Sequence, residues 1–87
     1  MHFIYILKSE KNDRYYIGST GDVEKRLFEH NSGKTKSLKY LRPLKIVFQK
    51  SFLNENEARK IERKLKKFKN RTIIDRIVAK EDLIMGP

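Results

Sequence analysis

The chain has 87 residues, of which 38% are hydrophobic and 37% are charged, so it has room for one domain with one small core. Twenty-one Lys and Arg against eleven Asp and Glu give a net charge of +10 at pH 7. A charge of that size attracts polyanions, so nucleic acid is the expected partner, well ahead of an anionic membrane surface.

The lack of cysteine excludes disulfides, thiol nucleophiles and cysteine-based zinc sites. No segment approaches the ~20 apolar residues of a membrane span, and the N-terminal apolar run is too short for a secretory signal, so we expect a cytoplasmic protein.

Two short apolar segments at the start of the chain predict a β-hairpin. Residues 3–7 are a continuous run of aromatic and β-branched side chains, which is typical of a buried strand. Residues 15–19 form a second such run after a polar turn. If the two strands are antiparallel, Tyr5 and Tyr16 can face the same side of the sheet. Gly18 leaves space beside the backbone, where a ligand or another chain segment can approach.

The segment after the hairpin predicts a short amphipathic helix over residues 22–30, with Asp22 near its start and a stop signal at residues 31–33. Arg26 and His30 are four residues apart and therefore share one helical face. A phenol, a guanidinium and an imidazole thus come from one strand-to-helix junction, a set that suits a phosphodiester. The alternatives are that the tyrosines are core residues, that Arg26 is solvated and that His30 caps its helix.

The second half of the chain predicts one more strand and two more helices. Residues 34–42 are basic and irregular, and the alternation over residues 44–52 predicts a strand with one buried face. Asn54 and Glu57 have the spacing of a capping box, and the helix that follows has an apolar stripe and an otherwise basic surface. Asn70 is suited to cap a last helix. The order ββα-βα-α predicts an α/β fold in one domain, residues 1–80, followed by a loose tail, residues 81–87.

Glu62 is the only acidic residue between Arg59 and Arg71. It flanks the apolar stripe of its helix, so it can face the edge of the sheet. One reading is an ion pair with Lys66 four residues later, worth ~0.3–0.5 kcal/mol. The other reading is a carboxylate that holds one divalent cation, since Mg²⁺ keeps several waters and needs few protein ligands. The spacing alone favours the ion pair.

The order and spacing of these residues resemble the GIY-YIG nuclease family, in particular its small stand-alone bacterial members. The resemblance extends from about residue 2 to residue 80. It is carried by Phe3-Ile4-Tyr5, Tyr16-Ile17-Gly18, Arg26 and Glu62. It implies a small three-stranded antiparallel sheet flanked by helices, and a metal-dependent endonuclease that hydrolyses DNA phosphodiesters, with DNA repair as the expected setting.

The resemblance also implies a role for each site residue. Tyr16 is expected to act as the general base or to orient the attacking water, and Tyr5 to help hold that water and the phosphate. Arg26 is expected to stabilise charge on the phosphoryl oxygens, with His30 assisting nearby. Glu62 is expected to be the only protein ligand of one Mg²⁺ or Mn²⁺ ion. A free phenol is ionised to only about one part in a thousand at pH 7, which leaves both readings of Tyr16 open.

The chain departs from the family pattern at two places. Phe3 stands where the first motif has glycine, and the asparagine that larger members carry late in the domain has only Asn70 as a candidate counterpart. The smaller members of the family tolerate the first departure.

The cationic side chains predict contacts to the DNA backbone. Most are lysines, which suit phosphate contact more than base discrimination, so we expect recognition of DNA structure, such as branches or free ends, without sequence specificity. Two alternatives stay open: a non-catalytic nucleic-acid-binding module, and a nuclease subunit that needs a protein partner. We expect a monomer or a weak dimer. The residues expected to contact DNA are Lys34, Lys36, Lys39, Arg42, Arg59, Arg63 and Lys66.

Overall fold

The fold was analysed in a computed structural model that describes residues 1–32, 43–68 and 71–81. It contains a three-stranded antiparallel sheet and three helices in the order ββαβαα, which confirms the predicted fold class. None of the helices in these three ranges is long and apolar enough to span a membrane. The elements are β1 (His2–Ser9), β2 (Tyr15–Thr20), α1 (Val23–Asn31), β3 (Leu44–Phe52), α2 (Glu55–Lys67) and α3 (Arg71–Lys80).

The strand order is β2-β1-β3, with β1 in the centre and both neighbours antiparallel to it. In the β1–β2 ladder Tyr5 is opposite Gly18, and Leu7 is opposite Tyr16. Because side chains alternate between the faces of a strand, this register places Tyr5 and Tyr16 on the same face of the sheet. The expectation that the two phenols share a side is therefore confirmed.

The two faces of the sheet bury separate apolar clusters. Ile4 and Ile6 of β1 point towards α2 and α3, where they pack with Leu65 and Ile77. Tyr5 and Leu7 point to the opposite face, which α1 covers with Val23. The sheet therefore separates the α1 side, which carries Tyr5 and Tyr16, from the α2–α3 side.

The prediction that β3 has a single buried face is wrong. Ile6 pairs with Phe48, but the next residue of β1, Leu7, pairs with Ile46, so one extra residue, Val47, is inserted into β3. Such a bulge reverses the alternation of side chains along a strand. As a result, Ile46 packs with the cluster on the α1 side, whereas Phe48 packs with the cluster on the α2–α3 side.

Side-chain caps fix the starts of the first two helices. The side chain of Asn54 accepts a hydrogen bond of 2.9 Å from the backbone N–H of Glu57, as the capping-box spacing predicts. Asp22 lies just before α1 and accepts a hydrogen bond of 3.1 Å from the backbone N–H of Lys25. The helix therefore begins at Val23, one residue later than predicted, because Asp22 has an extended backbone and serves as the cap.

Three sequence predictions lie outside the described residues. They concern the basic segment of residues 34–42, the cap assigned to Asn70, and most of the tail of residues 81–87. The segment includes four of the residues expected to contact DNA: Lys34, Lys36, Lys39 and Arg42.

Candidate active site

Tyr5 lies across the sheet against Gly18. The two residues are opposite each other in the β1–β2 ladder, and the phenol of Tyr5 covers the α-carbon of Gly18 so closely that a β-carbon there would overlap the hydroxyl and ring of Tyr5. The space that Gly18 was expected to leave is thus filled by another part of the chain. Glycine at this position lets a buried tyrosine lie flat on its neighbouring strand.

His30 completes the buried part of the site. It is the last but one residue of α1 and is only 7% exposed, and its Nε2 lies 3.5 Å from the hydroxyl of Tyr5. Burial lowers the pKa of His30, and the positive charge of Arg26 lowers it further, against a smaller opposing effect of Glu29. The imidazole is therefore neutral near pH 7 and can share a proton with the phenol as donor or acceptor.

The phenol of Tyr5 is held in its protonated form. Burial raises the pKa of Tyr5, the charge of Arg26 opposes this rise, and the negative charges of Glu62 and Glu29 add to it. A phenol with a raised pKa is suited to donate a hydrogen bond and unsuited to act as a base.

Glu62 is turned towards the sheet edge, as the sequence predicted. Its side chain is only 18% exposed; Oε1 accepts a hydrogen bond of 2.5 Å from the Ser19 hydroxyl, and Oε2 lies 2.7 Å from Nζ of Lys66. Burial alone would raise the pKa of Glu62, but hydrogen bonds from Lys66 and Ser19 and the charges of Lys66 and Arg59 outweigh burial and lower it. The carboxylate is therefore ionised at neutral pH, and the predicted pair with Lys66 coexists with its orientation towards the sheet.

The site residues lie along two cavities. Arg26 and Glu62 line one groove of about 820 Å³ together with Ser19 and several cations of α2. Tyr5, Tyr16 and His30 line the other, of about 590 Å³. Lys66 borders both, so the two cavities adjoin at its side chain.

The groove that contains Glu62 is strongly basic. Three of the residues expected to contact DNA (Arg59, Arg63 and Lys66) line it, and so does Lys60, which the sequence did not single out. Arg59 also forms an ion pair of 2.6 Å with Glu55 one turn earlier. The cations thus surround a single half-buried carboxylate, an arrangement that attracts phosphate groups to its vicinity.

The sequence reasoning missed two residues of the site. No motif singles out Ser19, although strand alternation alone puts it on the face opposite Tyr16 and Gly18, towards α2. For Tyr15 the sequence predicts only a position in a strand. Its hydroxyl donates a hydrogen bond of 2.6 Å to Asp75, and the guanidinium of Arg71 lies 4.7 Å from its ring centre, so Tyr15 ties α3 to β2 beside the cavity.

The oxygen donors at the groove fit a small divalent cation. Within the described residues no group of three or more His, Cys, Asp or Glu is placed to hold a metal, so an ion at Glu62 would rely on this one carboxylate, waters and substrate. Mg²⁺ and Mn²⁺ accept such a shell of hard oxygen ligands. The ionised state of Glu62 and its fixed orientation through Ser19 match this requirement.

The small antiparallel sheet has helices on both faces and carries Tyr5 and Tyr16 on the α1 side, while a basic groove beside α2 holds Arg26 and the single carboxylate of Glu62. The sequence matches the GIY-YIG catalytic domain over residues 1–74. The chain belongs to the GIY-YIG family of nucleases.

Its relatives include small bacterial proteins named UPF0213. A UPF0213 protein of Listeria welshimeri is 37% identical over 82 residues, which cover 93% of this chain and 90% of that protein. One of Staphylococcus saprophyticus is 41% identical over 68 residues, covering 77% and 82% of the two chains. The solution NMR structure of the UPF0213 protein BH0048 from Bacillus halodurans superposes with a TM-score of 0.58 at 31% identity, covering 92% of this chain and 84% of that one. The resemblance to small stand-alone family members is thus confirmed.

Proposed function

We propose that this chain is a divalent-metal-dependent DNA endonuclease that hydrolyses phosphodiester bonds. One observation carries the proposal: the ionised carboxylate of Glu62, held by Ser19, lies in the same basic groove as the guanidinium of Arg26. Hydrolysis of a phosphodiester needs positive charge on the phosphoryl oxygens and a place for a metal ion. The groove contains both a guanidinium, from Arg26, and a carboxylate that can hold a metal ion, from Glu62.

In the proposed reaction each side chain of the site has a separate role at the phosphate. Arg26 is suited to bind the non-bridging oxygens and to stabilise the charge that develops there, because a guanidinium presents several N–H donors in one plane. Tyr5, kept protonated by burial, donates a hydrogen bond to the water or the phosphate. Tyr16, on the same face of the sheet, acts as the general base or positions the water. His30 holds the hydroxyl of Tyr5 in place.

Glu62 would hold the cation, Mg²⁺ or Mn²⁺, and Ser19 would orient the carboxylate. When bound, the cation supplies Lewis-acid stabilisation of the phosphoryl oxygens. Hydrogen bonds of this kind, from a neighbour to a ligating carboxylate, commonly decide how well an ion is held.

The basic face of α2 provides the DNA interface. Arg59, Lys60 and Arg63 line the groove around Glu62, and Lys34, Lys36, Lys39 and Arg42, outside the described residues, stay predicted DNA contacts. These long cationic side chains neutralise phosphates without reading base edges. The proposed enzyme therefore selects DNA by structure, such as branches or free ends, and binds with a steep dependence on salt.

One observation favours a second candidate function. Both oxygens of Glu62 have a partner within the protein, Ser19 or Lys66, which is also the arrangement expected of a purely structural carboxylate. A non-catalytic nucleic-acid-binding module would have this arrangement and the same basic surface. The same arrangement would also suit a nuclease subunit that needs a protein partner to become active.

Incubation of the purified chain with branched, flapped, nicked and plain duplex DNA separates these functions. The proposed enzyme, active alone as a monomer or weak dimer, cuts at least one of these DNAs in Mg²⁺ or Mn²⁺ and none in a chelator. A binding module shifts the mobility of the same DNAs without cutting them in any metal. Cleavage that appears only after a cell extract is added, and that co-purifies with a second protein, identifies the partner-dependent subunit.

A further inference from the structure

Lys66 occupies one of the two oxygens of the candidate metal ligand. Its Nζ lies 2.7 Å from Oε2 of Glu62, while the hydroxyl of Ser19 holds Oε1. A neutral hydroxyl can remain on a carboxylate that binds a cation, because the oxygen keeps further lone pairs. An ammonium cannot remain so easily, because its positive charge repels the arriving ion.

The side chain of Lys66 is also largely exposed. It is 55% exposed, whereas Glu62 is 18% exposed, and lysine carries its charge on a flexible four-carbon stem. An ion pair of this i,i+4 type is weak, so the paired state is favoured over the separated state only a few-fold. Lys66 therefore has a partner that it can leave at little cost.

The position of Lys66 offers a second partner. It borders both the groove that contains Arg26 and Glu62 and the cavity that contains Tyr5 and Tyr16. A phosphate bound between these residues would come within reach of the ammonium. Within the described residues, the other lysine of the groove, Lys60, does not line the second cavity.

We infer that Lys66 is a phosphate ligand that exchanges partners: it neutralises Glu62 in the free protein, yields that carboxylate to the divalent cation, and then binds a DNA phosphate at the border of the two cavities. The inference rests on the proposed function and adds a regulatory step to it. Through this exchange, bound metal raises the affinity for DNA and bound DNA raises the affinity for the metal, because each keeps Lys66 away from Glu62. By thermodynamic linkage the two affinities rise by the same factor.

The first test measures Mn²⁺ binding to the DNA-free protein, through paramagnetic broadening of the NMR signals of residues around Glu62. Lys66→Met removes the competing ammonium, so we expect Mn²⁺ to bind about three- to tenfold more tightly than to the wild type. Lys60→Met is the matched control: it removes the same charge from the same helix and groove, but Lys60 is two residues from Glu62, and the ion pair of Glu62 is with Lys66. Its effect should stay below about twofold.

The second test uses DNA binding in a chelator, with no metal and no cleavage, in a double-mutant cycle. In the wild type Lys66 must first leave Glu62, which offsets part of its contact to the phosphate, so Lys66→Met should weaken DNA binding by only about two- to threefold. In Glu62→Gln the lysine is released, and adding Lys66→Met should then weaken binding by about fivefold or more and lower the slope of affinity against salt by about one phosphate contact.

The outcomes separate the exchange from the activity itself. Equal Mn²⁺ affinities for Lys66→Met and Lys60→Met, or equal effects of Lys66→Met in the two backgrounds, in a protein that cuts DNA, overturn the exchange and leave the nuclease proposal standing. A wild-type chain that neither binds Mn²⁺ nor cuts DNA overturns both. Tighter Mn²⁺ binding in Lys66→Met alone, together with the larger effect in the Glu62→Gln background, supports the exchange.

Discussion

The hydroxyl of Ser19 on β2 donates a hydrogen bond of 2.5 Å to Oε1 of Glu62 on α2, a contact between residues separated by 43 positions in the sequence. It is the link that brings the α2 carboxylate to the edge of the sheet, close to the strand that also carries Tyr16. Without it, Glu62 would retain Lys66 as its partner on the same helix, and nothing in that pair would fix the carboxylate relative to β2.

Ser19→Ala tests this link. We expect the free energy of unfolding to fall by roughly 0.5–1.5 kcal/mol, as for a lost hydrogen bond, and cleavage to fall by about tenfold, as for loss of a residue that orients a metal ligand. Ser51→Ala, an exposed serine on β3, is the control and should change neither quantity. Denaturant titration and a cleavage assay supply the two readings. If both variants cut DNA at the wild-type rate, Ser19 does not position Glu62.

The close approach of Tyr5 to Gly18 predicts a strong effect of a single added methyl group. In Gly18→Ala the β-carbon overlaps the hydroxyl and ring of Tyr5, which is buried and has little room to retreat, so we expect a loss of about 1–3 kcal/mol in stability. Gly21→Ala is the matched control, because a β-carbon at Gly21 meets no atom within 4 Å. Thermal or denaturant unfolding compares the two. Equal stabilities would show that Tyr5 is not packed against Gly18.

The buried His30 predicts a decline in stability in mild acid. Burial and Arg26 lower the pKa of His30 in the folded state, so the unfolded chain, with a value near ~6.5, takes up the proton first as the pH falls. The contribution of neutral His30 is fully present above about pH 6.5 and is lost as the pH falls through its lowered pKa.

The measurement is the midpoint of thermal unfolding between about pH 7.5 and pH 5. His30→Gln, which does not titrate, should lose less stability over this interval than the wild type. The other groups with lowered pKa values, Glu62 and Asp75, are carboxyls that remain common to both proteins. Parallel declines in the two proteins would mean that protonation of His30 costs the folded state nothing.

Local patterns predicted the elements well because each depends on neighbours in the sequence. Alternation placed Tyr5 and Tyr16 on one side of the hairpin, and the spacing of Asn54 and Glu57 gave the start of α2. The bulge at Val47 escaped prediction because it arises from the pairing of β3 with β1. The hydrophobic alternation of β3 alone does not show where that pairing slips by one residue.

The sequence singled out candidate site residues, whose roles stay predictions, but it did not give the contacts between them. The position of Glu62 on its helix indicated that it faces the sheet edge. Its contact with Ser19 could not be predicted, because that contact depends on how α2 crosses β2. In the same way, the sequence indicated space beside Gly18 but could not show that Tyr5 fills it. Contacts between elements distant in the sequence require the packed fold, and these contacts set the protonation of Tyr5 and His30.

The most direct measurement is the Mg²⁺- and Mn²⁺-dependent cleavage of DNA by Glu62→Gln, set beside its DNA affinity. Glu55→Gln is the matched control, because Glu55 lies on the same helix and forms a similar i,i+4 ion pair, with Arg59. We expect Glu62→Gln to lose cleavage by about a hundredfold or more while it binds DNA within about threefold of the wild type. Glu55→Gln should cut within about twofold of the wild-type rate. Cleavage by Glu62→Gln that equals that of Glu55→Gln in either metal would contradict the assignment of Glu62 as the metal ligand of a nuclease.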